Sequence, residues 1–279
     1  MTNNPLKKHF RQPKIYIKLP SMGKWWPQGS LEMTENGELP VMSMTGKDEM
    51  LVKTADALMN GSATTSMIES CMPSIKDAWS TPRIDLDTIM IAIRIATYGP
   101  EMSVETKCPH CSHFNGGDID LRWVMENIKQ PELDPKFVCE DLMLHLKLVD
   151  YRAISKLDQD TYEEQRVIRQ LSQEGISTAQ RQNILETAVK TLAQKLGMRL
   201  AESVAKITTE DGEAVADKEM IADFISNTDK ATFDKIRDII NEYNSGYKIP
   251  DMTIKCESCD QTYESKLEFD PANFFAPGS

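Results

Sequence analysis

Two short stretches decide how this chain is built: Lys107-Cys108-Pro109-His110-Cys111 and Lys255-Cys256-Glu257-Ser258-Cys259. Each is a Cys-x-x-C knuckle preceded by an alternating run, Ser103 to Lys107 and Met252 to Lys255, and followed by another, Phe114 to Leu121 and Tyr263 to Phe269. Each therefore reads as a strand–knuckle–strand hairpin. A Cys-x-x-C turn sets two sulfurs on one side of a tight bend, and two such hairpins face to face supply the four soft ligands of a tetrahedral zinc. Cys108, Cys111, Cys256 and Cys259 are thus the candidate metal ligands, and structural Zn2+ the candidate cofactor. What sets the pair apart is separation: 144 residues lie between Cys111 and Cys256, where ordinary zinc ribbons use roughly twenty. The residues between are an insertion whose ends must return to one place. The entropic cost of closing such a loop grows only by about 0.6 kcal/mol per doubling of length.

The cysteines admit other readings. Thioredoxin-like redox chemistry needs a helix directly after the Cys-x-x-C, and neither knuckle has one. Four thiols without metal remain an alternative. His110 and His113 sit beside the first knuckle and are able to stand in for a cysteine. Cys71 and Cys139 fall in apolar patterns and read as core.

The rest of the chain divides around the knuckles. The expected class is α+β: a small zinc-ribbon-like β module with a large, mainly helical insertion, divided as 1–121, 122–250 and 251–279. Lys14–Pro20 and Leu39–Met44 read as strands, and Ser21–Gly29, with Trp25 and Trp26, as an aromatic loop. Thr45 and Asp48 have capping-box spacing ahead of a helix over 47–59 that Gly61 ends, and a short helix follows near 62–71. Asp85 or Asp87 is expected to cap a helix over 86–98, apolar nearly all round. Leu142, Leu144, Leu146 and Leu148 at period two predict a strand within 138–149. Helical spacing predicts helices over 151–173, with Asp150 as cap, and 178–205. Ile207–Val215 reads as a hairpin turning at Asp211-Gly212. Helices over 217–227 and 229–243 follow, with Asp217 and Thr228 as caps.

Composition bounds function. Of 279 residues, 40% are hydrophobic and 27% charged, with a net charge of −11. Phosphate backbones repel such a chain, so nucleic acid is not an expected partner. No apolar run is long enough to span a bilayer and the first residues lack an apolar leader, so no membrane role and a reducing cytoplasm are expected. No phosphate-binding or nucleophile-elbow motif occurs. His145 reads as an ordinary strand residue. The expectation is a protein that is not an enzyme.

The order of several short motifs resembles the T4-type bacteriophage baseplate hub and tail-assembly family: Leu19-Pro20-Ser21-Met22-Gly23 with Trp25-Trp26-Pro27-Gln28-Gly29, Gly37–Val41 running to Met44-Thr45, Asp48-Glu49-Met50-Leu51, Ile84-Asp85-Leu86-Asp87, Tyr98-Gly99, and Phe274-Phe275 after the second knuckle. The resemblance covers 15–121 best and 205–276 more loosely. It implies a structural or chaperone-like assembly protein of a contractile tail, binding other hub or tape-measure proteins, in the virion baseplate or in the host cytoplasm during assembly. The competing readings are a zinc-ribbon nucleic-acid-binding regulator and a metalloenzyme. The first meets acidic residues around the knuckles, and four cysteines leave the second no open metal position.

Overall fold

The computed structural model describes residues 5–54, 61–171, 195–267 and 274–275. The chain forms two compact units, one from 1–130 with 247–279 and the other Pro131–Gly246. Both mix helices with small antiparallel sheets, so the fold is α+β.

In the first unit, strand β1 (Pro13–Lys18) pairs antiparallel with β2 (Glu38–Met42). Helix α1 (Gly46–Val52) opens on the expected capping box, in which Thr45 Oγ1 accepts from the Asp48 N–H and the Asp48 carboxylate accepts from the Thr45 N–H at 2.7 Å. It stops at Val52, because the Thr54 N–H closes back onto the Leu51 carbonyl, the tightened bond with which helices end. Residues 55–60, the last part of the helix expected over 47–59, lie outside the described residues. Gly61, at φ 76°, is the N-cap of the next helix, α2 (Ser62–Cys71). Cys71 and Cys139 are both fully buried, as core residues are.

Helix α3 (Arg83–Tyr98) is the centre of this unit. Ile84, Ile89, Ile91 and Ile93 are fully buried, and the helix packs on β1, β2 and α2. Its start corrects the capping expectation for Asp85 and Asp87. Pro82 occupies the N-cap position, its ring fixing φ near the helical value, so both aspartates fall inside the helix. Asp85, fully buried, accepts from the Ser21 N–H at 2.8 Å, from the Ser21 hydroxyl, and from the Trp26 indole N–H at 2.7 Å. Asp87 accepts from the Tyr247 hydroxyl. Burial pushes both carboxyls above their ordinary range, against the pull of these donors. The paired carboxylates are therefore pins: one holds the Trp loop to α3, the other the returning chain at Tyr247. The loop also needs holding. Met22 and Trp25 take left-handed backbone, at φ 53° and 68°, which costs a bulky residue on the order of 1–3 kcal/mol. At the far end of α3, Tyr98 donates to the Phe275 carbonyl at 3.2 Å, and Phe274 and Phe275 pack edge to face, both buried.

The second unit is organised on a four-stranded antiparallel sheet in the order β5 (Lys136–Cys139), β6 (Leu142–Leu146), β7 (Val204–Thr208), β8 (Ala214–Val215). The single strand expected within 138–149 is half of a hairpin that turns at Glu140, which sits at φ 57°. Leu144, Leu146 and Leu148 are buried as their alternation required, and His145 meets Thr208 Oγ1 at 3.2 Å. Helix α5 (Tyr151–Leu171) starts with its Ala153 N–H on the Asp150 carboxylate. Most of the expected second long helix, including Ile184, Leu185, Ala188 and Leu192, lies outside the described residues. Residues 195–202 are helical, and the helix gives way at Val204, which pairs with Leu146 in the sheet, so 204–205 is strand. The hairpin at Asp211-Gly212 forms, with Gly212 at φ 84°. Helices α6 (Lys218–Asn227) and α7 (Lys230–Ser245) follow. Asp217 caps α6 as expected, but Asp229 caps α7 in place of Thr228. The Thr228 N–H closes the preceding helix, and the Asp229 carboxylate takes the Ala231 and Thr232 N–H groups.

Replacing Asp85 by Ala leaves the Ser21 and Trp26 donors without their acceptor and removes the pin on a strained loop. Urea unfolding is expected to show a loss of about 2–4 kcal/mol, while Glu35→Ala, on the exposed rim of the same unit, stays within about 0.5 kcal/mol of the parent.

Candidate metal centre

Both knuckle hairpins belong to the first unit. Strand β3 (Glu101–Lys107) pairs with β4 (Phe114–Asp120), and β9 (Met252–Lys255) with β10 (Thr262–Ser265). A short helix, α4 (Leu121–Glu126), follows β4, with Asp120 as its cap. The two turns are built alike, bond for bond. In the first, the Cys108 N–H donates to the His113 carbonyl and the Ser112 N–H to the Cys108 carbonyl, at 2.8 and 2.9 Å. In the second, the Cys256 N–H donates to the Gln261 carbonyl and the Asp260 N–H to the Cys256 carbonyl, at 2.9 and 3.0 Å. The equivalent fifth residues, Ser112 and Asp260, both take left-handed backbone, at φ 62° and 57°. This geometry curls the chain so that both cysteines of a knuckle point to one side.

The structure brings all four sequence-predicted cysteines together. Their sulfurs lie within 4.8 Å of one another. Two approaches cross between the hairpins: Cys108 Sγ to Cys259 Sγ at 3.8 Å and Cys111 Sγ to Cys256 Sγ at 3.6 Å. None is in a disulfide. Four sulfurs each about 2.3 Å from a central zinc sit about 3.8 Å apart, so the separations match a tetrahedral thiolate site. Cys108 and Cys256 are buried and Cys111 is exposed. His110 and His113 stay at the surface, outside the four-sulfur cluster.

The electrostatics point the same way. Burial alone pushes the Cys256 thiol up, but the backbone N–H groups of Cys259 and Ser258, with the neighbouring Cys111 and Cys259, bring it down to about 6. At Cys259 the Gln261 N–H favours the thiolate, yet desolvation and the three other sulfurs outweigh it, and the thiol is pushed up to about 12. The backbone thus favours the thiolate at Cys256, while desolvation and the crowding of sulfurs favour the thiol at Cys259. A dication removes that conflict by neutralising mutual repulsion among the sulfurs. The donor set therefore fits a zinc ion.

The cysteine spacing did not reveal the layer behind the sulfurs. Asn115, 4% exposed, donates to the Tyr263 hydroxyl at 2.9 Å, while its Oδ1 accepts from the Glu257 N–H at 2.9 Å. The Tyr263 hydroxyl also meets Thr106 Oγ1 at 2.8 Å. One buried amide thus joins the first hairpin to the backbone of the second knuckle. Ile254 and Tyr263 pack against Cys108 and Cys256. The available signal was a polar Asn at an inward position of an alternating strand.

These features define an α+β protein with a zinc-ribbon-like four-cysteine cluster whose two halves come from distant parts of one chain. A family model described as T4 bacteriophage base plate protein matches residues 12–276, and the chain belongs to that family. No curated protein and no solved structure matches it. The family makes it a structural protein of the phage baseplate. Among the described residues, no helix is long and apolar enough to cross a membrane.

Asn115→Ala leaves all four sulfurs in place but strands the Glu257 N–H and takes from the Tyr263 hydroxyl one of its two partners. It is expected to lower stability by about 1–3 kcal/mol in urea unfolding, with the metal content measured by plasma mass spectrometry unchanged.

Proposed function

We propose that this protein is a structural or chaperone-like assembly component of the baseplate hub of a contractile phage tail. It acts through protein–protein contacts with other hub or tape-measure proteins, at the virion baseplate or in the host cytoplasm during assembly. The observation that carries this reading is the family match across 12–276. Cys108, Cys111, Cys256 and Cys259 hold one structural Zn2+, which clasps the two hairpins. Four sulfurs fill a tetrahedral coordination sphere, leaving no open position for Lewis-acid chemistry. The conspicuous carboxylates are also committed elsewhere, Asp85 to Ser21 and Trp26 and Asp87 to Tyr247. The protein is accordingly not an enzyme. Its contact surface includes the loop that Asp85 pins, where Met22 is 74% exposed.

Two measurements test these statements separately. Cys108→Ser and Cys256→Ser are each expected to take the metal content of the purified protein from one zinc per chain to near zero and to bring down its thermal midpoint. Well under one zinc per chain in the parent protein overturns the metal assignment. An amber mutation in the gene is expected to yield filled heads without complete tails by electron microscopy, and normal infectious particles overturn the assembly role.

A further inference from the structure

Between the two metal-binding hairpins lies a cleft of about 500 Å³ lined by Val104, Gly117, Ile119, Trp123, Met252 and Ile254, with Asp118 and Asp251 also on its walls. Four observations about it converge. First, it runs between strands that each have one partner among the described residues: β4 pairs with β3, and β9 with β10. An edge without a second partner offers backbone N–H and C=O groups to an incoming strand. Second, β4 carries Gly116 and Gly117 in mid-strand. Neither has a positive φ, and a Cβ at either meets nothing within 4 Å. The fold does not require these glycines, and mid-strand glycine weakens a strand, so their use points to close approach by another backbone. Third, the cleft is apolar yet open, with Trp123 at its edge 49% exposed. Fourth, its surroundings are acidic. Residues 101–129 and 247–267 contain nine carboxylates against six lysines and arginines, a formal charge of −3. Lys255 is engaged by Asp260, and Asp251 by Lys248. Among the described residues, Asp118 accepts a neutral bond, from the Ser103 hydroxyl, and has no ion pair.

We propose that this cleft is a docking site for an extended, lysine- or arginine-bearing segment of another protein, which adds a strand beside Gly116-Gly117 and places its apolar side chains against Val104, Ile119 and Trp123. The acidic rim selects the basic partner and the glycines admit its backbone. A nucleic acid is not the occupant, since the same charge repels it. The inference rests on the baseplate reading only for where such a partner would be found.

The test uses the full-length, metal-loaded protein and two fluorescein-labelled hexapeptides, one alternating lysine with valine and one alternating glutamate with valine. Fluorescence anisotropy is expected to detect the lysine peptide and not the glutamate peptide. Affinity should fall about tenfold between roughly 50 and roughly 300 mM NaCl. Gly117→Val suits a strand backbone, so it should leave zinc content and thermal midpoint intact or raised while weakening the lysine peptide at least about tenfold. Trp123→Ala, at the cleft edge, is expected to weaken the same peptide and serves if Gly117→Val does not fold. Failure of the lysine peptide to bind, equal binding of both peptides, or unchanged binding by both variants overturns the proposal. So does a dimer in sedimentation whose formation excludes the peptide, since the occupant is then a second copy. No phage component enters the assay, so its failure leaves the baseplate role standing, and normal particles from the amber mutant leave the cleft standing.

Discussion

Four sulfurs drawn within 4.8 Å of one another, two from the middle of the first unit's sequence and two from its end, are the constraint on which the rest depends. Thiols at that separation are too far apart for disulfides and too close to ionise together, so the cluster is consistent only with a cation at its centre or with protons on most of its members. Protons compete with metal for the same sites, which ties the clasp to pH as well as to metal supply. The two turns share the same hydrogen bonds and the same left-handed fifth residue. The centre is thus made from one local solution used twice, and Asn115 and Tyr263 bind the two uses together.

Helix α3 makes the second set of long-range ties. One turn of it presents Asp85 to the Trp loop and Asp87 to Tyr247, while its last turn offers Tyr98 to the Phe275 carbonyl. Buried carboxylates are costly unless hydrogen-bonded: Asp85 accepts from Ser21 and Trp26, and the half-buried Asp87 from Tyr247. The helix is therefore the piece to which the beginning and the end of the first unit are both attached. The four-cysteine cluster, with Asn115 and Tyr263 behind it, adds a further closure of the same circuit at the hairpins.

Much of this was legible in the residues, and the failures have physical causes. The knuckles and their flanking strands were legible because Cys-x-x-C is a local geometry and alternation is a local pattern. The capping box at Thr45 and the caps at Asp150 and Asp217 were legible for the same reason. Asp85 and Asp87 were misread as caps because spacing alone cannot tell a carboxylate that serves its own helix from one that serves a loop 64 residues away. Thr228 lost to Asp229 because a carboxylate is the stronger acceptor for two free N–H groups. The strand at Val204 was hidden in a helical pattern because its pairing with Leu146 is nonlocal. Asn115, the buried amide behind the four sulfurs, carried no motif, since its value lies wholly in what stands opposite it.

Near the start and finish of the intervening unit, Lys129 and Lys248 exchange backbone hydrogen bonds in both directions, at 2.9 and 3.1 Å. This is the bond pattern of two neighbouring residues in an ordinary hairpin. To the clasped unit, the long stretch between them is equivalent to a turn. Evolution could then lengthen, shorten or exchange what lies beyond those two lysines without reworking the scaffold that carries it, and phage relatives would be expected to differ most there and least on the clasped side.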